Sequence, residues 1–228
     1  MRKNKSKPSV FNIPRSNTIH GDNRLGLAFF YSRRNLRVLR SIGIIGENEG
    51  WRSYERRMFR LLTNPSSDLI DTIVRTKESL FRTPTVLGVQ VRCAGLLSDD
   101  QESAVKLDEA DLRRVPNQVK QVAYSTGVHR RQLTVFLSTD SDVAEERLRR
   151  SLKMYHIVSV RDYKRGHTTR HKVSDESIQR ALLDLYLLAQ SQTLLVTGTS
   201  GYGTVAYSLS DVRKFNFIPV TKRHLVNM

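Results

Sequence analysis

A single cysteine, Cys93, excludes an intramolecular disulfide and any zinc site built on cysteine. No apolar run approaches the roughly 20 residues that a membrane span requires. The N-terminus, MRKNKSKPSV, is basic but has no apolar stretch behind it, so it does not read as a secretory signal. Neither a G-x-S-x-G nucleophile turn nor a Walker A loop is present. Acidic residues are the scarcest of the charged types: 22 against 38 Lys and Arg, for a net charge of +16 and a pI near 10.4. Such a field suits nucleic acid, nucleotide phosphates, an acidic glycan or an anionic membrane surface. The arginines gather early, at Arg33, Arg34, Arg37 and Arg40 and again at Arg52, Arg56, Arg57 and Arg60. At 39% hydrophobic over 228 residues, the chain buries a core rather than staying disordered.

Hydrophobic periodicity divides the chain at Pro84. Residues 1–22 read as a basic, flexible arm, and residues 23–80 as a helical lead-in. Helices are expected over Arg24–Ile42, over Trp51–Leu62, and from a Ser66 or Ser67 cap to Leu80. Residues 81–228 read as one Rossmann-like domain. Apolar strands are expected at Thr85–Arg92, Leu133–Leu137, Ile157–Val160, Thr193–Thr197 and Phe215–Val220. Helical segments separate them, the first in two pieces broken at Pro116 and capped at Gly127. Strands alternating with helices predict an α/β fold with a parallel sheet covered on both faces. In such sheets the ligand lies beyond the carboxyl ends of the strands.

Three strand ends carry the polar residues that such a site needs. Arg92 ends the first strand, where a guanidinium can clamp a pyrophosphate or pair with a loop carboxylate. The second strand runs into a turn, Ser138-Thr139-Asp140-Ser141; Asp140 accepts from a base or ribose hydroxyl, or caps the next helix. The strand Thr193–Thr197 runs through Gly198-Thr199-Ser200-Gly201 into a helix expected over Thr204–Leu209, an anion site by its free N–H groups or simply a capped turn. Asp184 lies on an apolar helix face and requires a partner, either a guanine edge or a backbone amide. Gly201-Tyr-Gly203-Thr-Val-Ala206 matches a dinucleotide fingerprint in form but lies too near the C-terminus, without the following strand that fingerprint needs. His167 and His171, four apart in a basic loop, read as surface residues, and no metal site is expected.

Together the three ends resemble the fucosyltransferase superfamily that uses GDP-fucose, which includes the N-glycan core, nodulation and xyloglucan enzymes. The resemblance rests on Leu87-Gly88-Val89-Gln90-Val91-Arg92 and on Phe136-Leu137-Ser138-Thr139-Asp140. Its third part is Asp184-Leu185-Tyr186-Leu187-Leu188-Ala189, followed by Thr199-Ser200 and by Val205-Ala206-Tyr207. It covers Pro84 to Leu209.

The resemblance implies the nucleotide-binding, C-terminal lobe of a two-lobed GT-B transferase. It implies an inverting, metal-independent transfer of fucose from GDP-fucose to a glycan hydroxyl, with GDP-fucose as donor and no cofactor. Arg92 would hold the β-phosphate, Ser200 with Thr199 and Gly201 the pyrophosphate, and Asp184 the guanine. Thr139 and Asp140 would line the nucleotide site, and Asp100, with Asp99 as rival, would be the catalytic base. Gln90 stands where the N-glycan enzyme has a base-contacting histidine, and Cys93 and Ser141 replace a second Arg and a second Asp of the pattern.

By the same resemblance the setting is the Golgi or secretory pathway, with membrane contact only through an anchor that this chain lacks. A complete enzyme would carry an acceptor lobe before this one, so the chain is expected to be truncated or inactive as it stands. The alternative is a basic nucleic-acid-binding protein that uses residues 1–60.

Overall fold

The computed structural model describes residues 33–43, 46–47, 49–62, 65–93, 107, 109–165, 174–198, 200–211 and 214–219. The chain divides into two compact units, Met1–Glu55 and Arg56–Met228. The first holds helix α1 (Arg33–Ser41) and the opening of α2 (Trp51–Leu62). Within it, the Arg40 guanidinium donates to the Glu49 carbonyl at 2.8 Å. Residues 24–32 of the helix expected over Arg24–Ile42 lie outside the described residues.

The second unit continues through α3 (Ser67–Leu80), β1 (Thr85–Val91), α4 (Glu109–Ser125) and β2 (Leu133–Thr139). It goes on with α5 (Asp142–Ser151), β3 (His156–Val158), α6 (Asp175–Ala189), β4 (Thr193–Thr197), α7 (Gly201–Leu209) and β5 (Lys214–Ile218). The five strands form one sheet in the order β3-β2-β1-β4-β5. Every neighbouring pair is parallel, with Val89 opposite Leu137 on one side and Leu195 on the other. The order reverses between β1 and β4, which is the switch point at which open α/β sheets bind ligands.

Side-chain alternation builds a core on each face of the sheet. Leu87, Val89 and Val91 of β1 join Leu133, Val135 and Leu137 of β2 beneath α4 and α5. The opposite set, Val86, Phe136, Leu194 and Val196, packs under α3, α6 and α7 with Leu183, Leu187 and Leu188. Gly88 and Gln90 share the parity of Val86, so they face α6 and α7 rather than α4. A Cβ on Gly88 would lie 2.7 Å from Ser191 Oγ and 2.8 Å from a Leu194 methyl, so the turn after α6 closes onto β1 only because the side chain is missing.

Serine side chains cap three of the helices. Ser66, Ser141 and Ser174 each accept from the backbone N–H three residues on, and Gly127 takes φ +71 after α4. Two expectations are corrected. Helix α4 is continuous through Pro116 rather than broken there. Its buried stripe, Leu112, Val115, Val119 and Val122, holds it on the sheet, and Pro116 sits off that stripe. Helix α7 begins at Gly201, three residues before the expected Thr204, because Ser200 acts as its N-cap.

Candidate functional site

A cleft of about 100 Å³ opens at the carboxyl edge of the sheet. It is lined by Gln90 and Arg92 from β1 and its end, by Ser138, Thr139 and Asp140 from β2 and its end, and by Ser177, Arg180, Ala181 and Asp184 from α6. Arg165 and Tyr202 complete it. The structure therefore brings together five residues singled out in the sequence: Gln90, Arg92, Thr139, Asp140 and Asp184. Ser200 and Gly201 begin α7 but do not line this cleft. Asp99, Asp100 and Thr199 lie outside the described residues.

The strand ends are braced by side-chain bonds to backbone groups. Gln90, 5% exposed, accepts from the Thr197 N–H through Oε1 at 3.3 Å. Thr197 Oγ1 donates to the Gln90 carbonyl at 3.1 Å and accepts from the Arg92 N–H at 2.9 Å. These bonds pin the last residues of β1 to β4 and fix the Arg92 backbone at the rim. Among the described residues no carboxylate pairs with the Arg92 guanidinium, and Arg92 lines the cleft.

Asp140 and Ser200 show local roles. The Asp140 carboxylate accepts from the Cys93 N–H at 2.8 Å and ties the end of β2 to the end of β1. The following helix is capped instead by Ser141, whose Oγ accepts from the Ala144 N–H at 3.2 Å. Ser138 and Thr139, read from the sequence as turn residues, are buried members of β2, with Thr139 Oγ1 accepting from the Ser141 N–H at 3.3 Å. Ser200 Oγ accepts from the Gly203 N–H at 3.3 Å, the capping role weighed in the sequence. The Cys93 thiol, pushed up to about 12 chiefly by burial, stays protonated and is no nucleophile.

Asp184 is 5% exposed and has an internal partner other than the two weighed in the sequence. Its Oδ2 accepts from Ser138 Oγ at 3.1 Å and from Arg180 Nε, one helical turn earlier, at 3.4 Å. Burial pushes its carboxyl up to about 6, while Arg180 and Ser138 pull the other way. Arg180 is itself 5% exposed and donates through Nη1 to the Tyr163 carbonyl at 3.0 Å. Two atoms of the pair, Asp184 Oδ1 and Arg180 Nη2, are buried with no hydrogen-bond partner among the described residues. The Tyr202 hydroxyl, raised well above its ordinary value by burial and by Asp184, donates to the Ala181 carbonyl.

Sequence reasoning missed Arg165, Arg180, Ser138 and Tyr202. Arg165 belongs to the stretch read as a basic surface loop, yet its side chain is 15% exposed. It bonds Asp142 and Glu145, and Glu145 also takes Arg149 Nε at 2.7 Å and Ser159 Oγ at 2.6 Å. The buried carboxylate of Glu145 thus anchors the segment after β3 to α5 and presents Arg165 to the cleft. For Arg180 a signal existed: it stands four residues before Asp184 on one helix, the spacing of an ion pair.

An all-parallel α/β sheet with a cationic, carboxylate-bearing cleft at its carboxyl edge has the form of a nucleotide-binding domain. Over residues 53–217, well over half of its length, the chain matches the family described as "Alpha-(1,6)-fucosyltransferase N- and catalytic domains". The chain belongs to that family. Among solved structures, it is similar to the NodZ α-1,6-fucosyltransferase co-crystallised with GDP (21% identity, TM-score 0.43, covering 64% of this chain and 42% of that one). It is also similar to fucosyltransferase NodZ from Bradyrhizobium (20%, 0.40, 62% and 41%). A third likeness is to POFUT1 in complex with GDP (12%, 0.47, 82% and 60%). The chain thus spans roughly two-fifths to three-fifths of the structures it resembles. No curated protein matches it.

Proposed function

We propose that the cleft binds GDP-fucose and that the domain serves an inverting transfer of fucose to a glycan hydroxyl. The observation that carries this reading is the meeting of Arg92, Gln90 and Asp184 in one cleft at the switch edge of the sheet, in a chain that belongs to the fucosyltransferase family. The guanidinium of Arg92 suits the β-phosphate, with which it can make two parallel charge-assisted bonds. Asp184 supplies the acceptor that a guanine edge requires. The pyrophosphate is assigned to Thr199, Ser200 and Gly201, where the positive end of α7 adds favourable potential from beside the cleft. Thr139 and Asp140 close the nucleotide side of the cleft.

In the reaction, the acceptor oxygen forms a bond to the anomeric carbon as the bond from that carbon to the β-phosphate oxygen breaks. The electron pair leaves with GDP, through an oxocarbenium-like state. Charge developing on the leaving oxygen is met by Arg92, with Arg165 and Arg180 adding to the field, so the reading needs no metal ion. The acceptor proton passes to a carboxylate, Asp100 or Asp99, a step worth roughly 10²–10⁴-fold. The secretory pathway is the setting we infer from the family.

Calorimetric titration with GDP and with mixed-sequence RNA, over a salt series, tests the reading against nucleic-acid binding through the early arginines. Two of those, Arg56 and Arg60, are engaged by Asp211 at 2.8 and 3.7 Å. GDP binding with weak RNA binding is expected. Tight RNA binding that falls steeply with salt, without GDP binding, would reverse the assignment.

A further inference from the structure

The Arg180–Asp184 pair is only half made. Its Nε–O distances are both 3.4 Å, well beyond the 2.7–2.9 Å usual for a charge-assisted bond. Each partner keeps one buried, unspent group, Nη2 on the arginine and Oδ1 on the carboxylate. Leaving a buried polar atom unpaired is costly, and here a donor and an acceptor are left unpaired on adjacent side chains lining one cleft. The remaining groups are committed. Arg180 Nη1 holds the Tyr163 carbonyl, and Asp184 Oδ2 already accepts from both Ser138 and Arg180.

A donor beside an acceptor is complementary to one kind of purine edge. Guanine and hypoxanthine present a carbonyl at C6 next to an N–H at N1. Adenine presents an amino group at C6 next to a bare ring nitrogen, the reverse at both positions. We infer that Arg180 is a base-specificity residue: Nη2 donates to the purine O6 while Asp184 Oδ1 accepts from N1–H, the edge entering as the loose Nε contact to Oδ1 opens and the one to Oδ2 is kept. This deepens the GDP reading and rests on it. The guanine 2-amino group gains no acceptor of its own, because Oδ2 is saturated. The pocket therefore reads 6-oxopurines as a class rather than guanine alone, and a hypoxanthine nucleoside diphosphate is as good a ligand as GDP.

The test is titration calorimetry of the full chain with GDP, IDP and ADP, on wild type, Arg180→Lys and Arg180→Met, with melting curves for each protein. For wild type, GDP and IDP should bind within about threefold of each other and ADP on the order of a hundredfold more weakly. Arg180→Lys keeps the charge and the fold but loses the fixed fork, so it should weaken GDP and IDP by roughly tenfold and leave ADP little changed. Arg180→Met should bring the three nucleotides closer still. A GDP affinity more than tenfold above that for IDP would overturn the inference by showing that N2 is read. So would an unchanged GDP-to-ADP ratio in a folded Arg180→Lys, or tighter GDP binding in Arg180→Met, which would make the arginine a competitor for Asp184. If wild type binds none of the three, the GDP reading itself is wrong and the inference falls with it. If it binds all three equally, only the inference falls.

Discussion

The backbone N–H of Cys93 donates to the carboxylate of Asp140 at 2.8 Å, joining the segments just beyond two adjacent strands. The bond holds the rim of the cleft between Arg92 and Thr139. Asp140→Ala removes the acceptor and leaves the N–H unsatisfied, at an expected cost of roughly 1.5–3 kcal/mol. Asp140→Asn keeps an acceptor oxygen and should lose well under half of that. Urea denaturation of the three proteins checks the order, with equal losses for Ala and Asn arguing that the brace contributes nothing.

With Asp184 at the base, as proposed, GDP binding and stability should respond to pH in opposite directions. The Asp184 carboxyl is raised from an ordinary 3.8 to about 6, first by burial and against the pull of Arg180, Ser138 and Arg165, with the neutral Tyr202 also close. A group raised in the folded state holds its proton more tightly there than in the unfolded chain. Its contribution to stability is therefore greatest below about pH 4 and declines as pH rises through about 6. On the proposed assignment of Asp184 to the base, affinity for GDP should be flat above neutrality and fall as pH drops through about 6. Asp184→Asn should flatten the pH dependence of both measurements, and an affinity profile indifferent to this substitution would remove Asp184 from the base site.

Gly203 marks where α7 meets the sheet most closely. A Cβ there would lie 2.8 Å from Val196 Cβ, which cannot rotate away, and 3.1 Å from Gln90 Oε1. Gly203→Ala should destabilise by about 1–3 kcal/mol through overpacking. It should also weaken GDP binding, because Gln90 must shift. A melting temperature equal to wild type would mean that α7 packs more loosely than these distances indicate.

Much of the architecture was legible because it is local. The run Thr193–Thr197 is five apolar or β-branched residues between a polar turn and a glycine, and β4 has those bounds. The positions where reading failed depend on distant partners. Ser138 looks like a turn residue but continues β2, since its hydroxyl is satisfied by Asp184, 46 residues away. Pro116 should break a helix by its own chemistry, yet burial of Val115 and Val119 against the sheet outweighs that local cost. The burial of Arg180 depends on how α6 is rotated over β2, and the presentation of Arg165 on the Glu145 cluster; neither is encoded in a short window. Strand ends were legible to within about two residues: β1 stops at Val91 rather than Arg92, and β2 runs on to Thr139 rather than stopping at Leu137, yet Arg92 and Asp140 still fall just beyond the strands at the cleft.

The proposal that this cleft holds a nucleoside diphosphate stands or falls at Arg92. Its backbone is fixed by Thr197 and its guanidinium has no carboxylate partner among the described residues. Arg92→Ala should lose a charge-assisted contact of roughly 1.5–3 kcal/mol, about tenfold or more in GDP affinity. Arg92→Lys should recover only part of it, because a point charge does not reproduce the planar fork. Calorimetric titration of GDP and GMP on the three proteins, with melting curves alongside, is the decisive measurement. A large loss for GDP, near indifference for GMP and unchanged melting are expected. Equal losses for both nucleotides, or a large drop in melting temperature with GDP affinity intact, would contradict the proposal.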